Sequence, residues 1–148
     1  MLRSIMMGIV AGQRSMMPLG ALAGAARLGT LPHDNAEARL MRLPLVAAGG
    51  VAMAAAEMAG DKMKTAPDRT VFLGLLARTI TGGFAGAALA PPRRQLAGAA
   101  LGIGAAIASS YFGLVTRKWA MQRWGRTSSG FVEDALAFAT ATAVAKRW

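Results

Sequence analysis

Between Ala54 and Thr70 the chain reads AAAEMAGDKMKTAPDRT, and this passage limits the folds open to it. A run of small apolar residues reaches Glu57 and Asp61 while still helical in character, then leaves through Lys62, Lys64, Pro67 and Arg69. Four positions separate the two acids, so a helix sets both carboxylates on one face, which also carries Gly50 and Ala54. Turned toward lipid, each charged carboxylate would be costly. The pattern predicts an all-α membrane helix bundle with charge in its interior.

Composition agrees. With 148 residues, 54% of them hydrophobic, and a mean hydropathy of +0.39, the chain exceeds the apolar share of an ordinary soluble domain and is expected to form one transmembrane domain over residues 1–148. Ala, Gly, Met and Leu carry the excess, so each span is only moderately hydrophobic and depends on close contact with its neighbours. The absence of cysteine excludes a disulfide frame, a thiolate metal site and a cysteine nucleophile.

The net charge of +10 would suggest nucleic acid in a soluble chain. Here the basic residues cluster at the ends of apolar runs, where they reach anionic headgroups, and no aromatic-rich basic module accompanies them. The expected partner is the lipid bilayer, not nucleic acid.

Ser4 to Ala26 holds a single charge, Arg14. Arg3 before a short apolar run and Ala21-Leu22-Ala23 imitate a signal peptide. Arg14 and Pro18 interrupt the run in its middle, at GQRSMMP, and instead predict two half-helices, about Leu2 to Gly12 and Pro18 to Arg27. Such a break at membrane depth is tolerated only where it is buried in protein or lines a cavity. Leu28 to Leu40 reads as a polar connection with His33, the single histidine, on its surface. Leu43 to Gly60 is the next span.

Val71 to Ala90 is long enough for roughly 30 Å of hydrocarbon. It holds Arg78 on one stripe with Gly82 and Gly86, which aims the arginine toward protein. Leu96 to Thr116 is uncharged, and the belt of Arg117, Lys118, Trp119, Arg123 and Trp124 follows it. Thr127 to Ala145 is the last span. Glu133 and Asp134 lie near its start, and being adjacent on a helix, only one can point fully inward. The total is four or five spans, according to whether the broken first segment crosses.

GxxxG spacing at Gly8/Gly12, Gly20/Gly24, Gly82/Gly86 and Gly98/Gly102 predicts close helix packing. AAAEMAGDK and GFVEDALAF both set acids among small residues, as a diverged internal repeat would. Charge does not orient the chain. If the first segment crosses, one side collects Arg3, Lys62, Lys64, Arg69, Arg117, Lys118, Arg123 and Arg126, and the other Arg27, Arg39, Arg42, Arg93, Arg94, Lys146 and Arg147. If it is re-entrant, Arg3 changes side and the split is again eight to seven. Dual orientation with an antiparallel homodimer is an expectation to test.

These residues carry a likeness. Through GIVAGQRSMMP at Gly8 to Pro18, the ExxxDK of Glu57, Asp61 and Lys62, PDRT at Pro67 to Thr70, ARTITGGFAGAAL around Arg78 and VEDALAF at Val132 to Phe138, the chain resembles the bacterial integral-membrane family catalogued as domain of unknown function 4126, over nearly its whole length. The resemblance implies a small helical protein of the bacterial inner membrane with no assigned reaction. A proline often expected after the DK pair is displaced here by Met63-Lys64.

Arg14, Arg78 and Lys62 supply positive charge, and Glu57, Asp61, Glu133 and Asp134 negative; in hydrocarbon the two sets must meet. Two uses are open. One is transport of a small ion or anionic solute, with Arg14, Ser15, Glu57, Asp61, Lys62, Arg69, Arg78, Glu133 and Asp134 as the binding residues. The other is a non-catalytic scaffold held by a structural salt-bridge network. Carboxylates without cysteine or a histidine cluster favour protons or hard ions over zinc or copper, and no resident metal or cofactor is expected. An enzyme is the weaker third reading. Lys62 and Arg69 have the K-x6-R spacing of membrane phosphatases, and Ser128-Ser129-Gly130 faintly resembles their serine-glycine segment, but those enzymes need two histidines. No catalytic residue is assigned.

Overall fold

The structure is a computed structural model that describes residues 1–60, 72–124 and 126–146, the side chains of 117, 118, 120, 124, 126, 127 and 129 excepted. The described chain is entirely helical: α1 (Leu2–Gln13), α2 (Met17–Arg27), α3 (Ala36–Arg42), α4 (Pro44–Gly60), α5 (Phe72–Ala88), α6 (Gln95–Trp124) and α7 (Arg126–Ala145).

Local chemistry places the boundaries. A helix cannot run through Arg14 to Pro18, because Pro18 has no N–H to give the Arg14 carbonyl and its ring crowds that oxygen. Arg14 is accordingly extended, at φ −138° and ψ 106°, and Pro18 sits in the first turn of α2. Gly29, at φ 65°, closes the far end of α2, with Thr30 N donating to Ala25 O at 2.9 Å. Asn35 caps α3, its Oδ1 accepting from Ala38 N at 2.9 Å, and its Nδ2 donates to Ala87 O and Ala88 O at the end of α5. Pro91 and Pro92 stop α5, and Arg93 at φ 64° turns the chain into α6.

Six contacts along α1 and at its C-cap Arg14 fix the directions of its neighbours. Ser4 Oγ donates to Gly86 O and Arg78 Nε to Gly12 O, so α5 runs antiparallel to α1. Arg3 donates to Lys146 O and Arg14 pairs with Asp134, so α7 is antiparallel too. Gly8 packs on Gly102, and Gln13 donates to Ser109 O, so α6 is parallel. Asn35 brings the chain back to the end where α1 began. From there α4 rises until Glu57 meets Ser15, with Gly50 against Leu19 further down. Helix α2, antiparallel to α4, therefore descends. The first segment is a hairpin, α1 up and α2 down, with its tip at Arg14 to Met16.

Glycine lets α1, α5 and α6 approach closely. A methyl on Gly8, Gly86 or Gly102 would run into the carbonyl oxygen of Gly102, Gly98 or Gly82 respectively. Three of the four GxxxG pairs pack in full. In the fourth, Gly20 faces Ala54, while Gly24 points to open space. Met7, Val10, Leu22, Leu89 and Val144, all at most 3% exposed, fill the core between α1, α2, α5 and α7. Each contributes about 1.5–3 kcal/mol by leaving water.

The spans differ from the expectation in length. Among the described residues, α6 alone is long and apolar enough to cross a membrane, over Gln95–Arg123, and α3 with α4 would make a second only if taken together across their 86° bend. The connection after α2 contains α3, which pattern reading passed over because seven residues hold barely two turns. His33 in that connection is half-buried, not a fully solvated side chain. The basic belt does not follow α6 but lies on it, since nothing between Thr116 and Trp124 breaks a helix; within it Arg123 stacks over Trp119 at 5.9 Å.

Candidate functional site

The hairpin tip gathers charge from three other helices, α4, α5 and α7. Arg14, 2% exposed, sends Nη2 to Asp134 Oδ1 at 2.7 Å and lies 3.9 Å from Glu133 Oε2. Asp134 is buried and Glu133 half-buried, so both reach the arginine although only one points fully inward. Two carboxylates thus flank one guanidinium.

Glu57 does something the sequence did not announce. Its Oε1 accepts from Ser15 N at 2.7 Å and Ser15 Oγ at 2.6 Å, and its Oε2 accepts from Met16 N at 2.8 Å. Two of the three donors are the amides of Ser15 and the N-cap Met16, just before α2, so the carboxylate closes the helix N-terminus and meets the positive end of its dipole. It is held by backbone and a hydroxyl, where the sequence led us to expect a guanidinium. Position 57 is correctly placed on the face of Gly50 and Ala54, because that face packs on α2.

Arg78 performs the mirror task on α1. It is 7% exposed, and its Nε donates to Gly12 O at 3.2 Å, while Ser110 Oγ donates to the same oxygen at 3.3 Å. A cation at the carbonyl end of α1 and an anion at the amide end of α2 compensate the two half-helix dipoles where they meet. The buried placement of Arg78 on the glycine stripe is as the pattern required.

Gln13, Ser109 and Ser110 complete the tip and were not singled out as site residues. Gln13 Nε2 donates to Ser109 O at 3.1 Å, and Ser109 Oγ to Ile9 O at 2.9 Å. The available signal was their polarity: an amide directly before the break, and two hydroxyls in an uncharged run. Asp61, Lys62 and Arg69 lie outside the described residues. Among the described residues no group of three or more His, Cys, Asp and Glu could hold a metal ion.

Fold and site together define an all-α bundle built around a helical hairpin whose broken tip is buried among charged side chains. Compared with models of protein families, with curated proteins and with solved structures, the chain matches none.

Proposed function

We propose that the chain is a small integral membrane protein, with α4 to α7 as four spans around the re-entrant α1–α2 hairpin, and that it moves a small ion past the hairpin tip. Its place would be the bacterial inner membrane. The likeness to the family of domain of unknown function 4126 belongs to this reading, rests on the motifs quoted, and brings no reaction with it. Apolar surface turned outward supports the membrane: Leu45, Phe72, Leu73, Leu96, Phe112 and Leu136 are each 64% exposed or more. Only 33% of the most apolar stretch of α6 is buried, whereas a core helix of a soluble protein is mostly covered. Helices α4 and α5, at 17 residues each, span about 25 Å, so local thinning of the bilayer would accompany them.

The observation that carries transport is the grouping of Arg14, Glu133 and Asp134 at non-helical backbone inside the bundle. A buried ion network is a poor device for stability alone, since apolar side chains of like volume hold a core at least as well. Half-helices that meet inside a membrane place their backbone ends where ions can be bound. Of the two ions considered from sequence, the arrangement favours a proton or small cation. The amides of Ser15 and Met16, which lead into α2 and would greet an anion, are already taken by Glu57, whereas Glu133 and Asp134 offer two carboxylates to one arginine. Glu57 ties α4 to the tip, so its release from Ser15 and Met16 is the natural gating motion.

The scaffold reading has an observation of its own: Arg78 and Glu57 neutralise the half-helix ends without help from any solute. Glu133→Gln and Asp134→Asn separate the two. In liposomes, transport requires that parent protein carry proton or cation flux and that these variants lose it while remaining folded. A scaffold gives no flux from the parent and a loss of stability in the variants.

A further inference from the structure

Helix α4 stands apart from the others. Among the described residues it packs on α2 and α3 but on no other helix to any extent, and only Ala47, Gly50 and Ala54 of its 17 residues are buried. Its outer face carries Leu45, Ala48, Gly49, Ala52, Met53 and Ala56, all exposed, and a methyl on Gly49 would meet nothing within 4 Å. The one charge on α4, Glu57, is spent on the hairpin tip, so this face is uncharged along the whole helix.

The hairpin also bears on how the basic residues are shared. Because α1 returns as α2, the start of α1, the α3 region, the α5–α6 turn and the end of α7 lie at one end of the bundle, and Arg3 donating to Lys146 O joins two of them. Assigned by chain order, with Lys62, Lys64, Arg69 and Arg147 outside the described residues, eight lysines and arginines belong to that end and seven to the other, leaving Arg14 and Arg78 of the 17 inside. Orientation follows the excess of basic residues on one side, and an excess of one gives almost no preference.

We infer, on the basis of the membrane reading above, that the chain inserts in both orientations and that each copy pairs with an inverted copy along the outer face of α4. The charge balance supplies the inverted partner, and the face suits it. Ala48 and Ala56 stand four residues on either side of Ala52, the midpoint of Pro44–Gly60, so inversion brings small residue opposite small residue along the contact. An interface of this symmetry must be complementary to itself under exchange of the two copies, a condition that alanines spaced evenly about Ala52 meet.

The absence of cysteine makes the test clean. In whole cells, a reporter active only in the cytoplasm and one active only outside it, each fused after α7, should both be active. Arg93→Ala with Arg94→Ala takes the larger end from eight bases to six against seven, and should shift the reporter ratio several-fold. Both residues are exposed in the α5–α6 turn, so the fold tolerates the change. With a bismaleimide, Ala52→Cys should cross-link to itself, and Ala48→Cys should cross-link to co-expressed Ala56→Cys but not to another Ala48→Cys. Protein retained in carbonate-washed membranes with one reporter active, or with Ala48→Cys linked to itself, overturns the inference and leaves the membrane reading standing. Protein stripped from membranes by carbonate overturns both.

Discussion

Glu57 lies in the last turn of α4, yet its carboxylate closes the N-terminus of α2, receiving Ser15 N, Ser15 Oγ and Met16 N at 2.6–2.8 Å. This side chain therefore ties the peripheral helix to the centre of the fold, beside the packing of Gly50 and Ala54 on α2. Charged acceptors make the stronger hydrogen bonds, roughly 1.5–3 kcal/mol each in net terms. Glu57→Gln keeps the shape but puts an NH2 against one of these donors, and should lower the thermal midpoint in detergent and abolish flux. Unchanged flux and midpoint would show that the cap is idle.

Arg14 should be the most costly position to neutralise. Arg14→Gln leaves Asp134 and Glu133 without their guanidinium, and breaking a buried pair from one side costs about 3–5 kcal/mol. The triple variant Arg14→Gln, Glu133→Gln, Asp134→Asn should recover most of that stability while remaining inactive. Chemical denaturation of the set measures both; a triple variant no more stable than the single one would refute the pairing.

Glycine replacements should sort by position. Gly102→Ala and Gly86→Ala push a methyl into a facing carbonyl oxygen and should cost about 1–3 kcal/mol through separation of α5 from α6. Gly104→Ala and Gly24→Ala meet open space and should be neutral or slightly stabilising, by up to about 1 kcal/mol from helix propensity. Thermal melts of the four variants decide the matter.

Asn35 joins α3 to α5 through Ala87 O and Ala88 O as well as capping α3. Asn35→Ala should cost roughly 1–3 kcal/mol, since it removes the cap on α3 and the side-chain donor to Ala88 O, while Ala87 O keeps Ala90 N at 3.1 Å. Faster hydrogen exchange at the end of α5 and the start of α3 is the expected readout, with the tip unaffected.

What the sequence disclosed and what it withheld divide along a physical line. The break at Arg14 to Pro18 was legible because a proline cannot be hidden inside a helix, and the inward turn of Arg78 because it shares a stripe with Gly82 and Gly86. The direction of α2 after the break was not, since α1 and α2 have the same composition whether the chain continues or doubles back. Nor were the partners of Glu57, which are backbone amides: a carboxylate's spacing says which face it is on, not whether that face will meet an arginine or a helix end. Gly24 shows the limit of motif spacing, being placed like Gly20 yet facing nothing. The end of α6 was mistaken for a boundary because charge begins at Arg117, and charge does not stop a helix.

The central claim is that ions pass Arg14, Glu133 and Asp134 at the hairpin tip, and flux through purified protein in liposomes tests it most directly. With a pH gradient and a panel of small cations outside, the parent protein should discharge the gradient or take up one cation. Glu133→Gln and Asp134→Asn, each still folded by circular dichroism, should reduce that flux to the level of empty liposomes. Flux equal in parent and variants, or none from well-folded parent protein under any gradient, would contradict it.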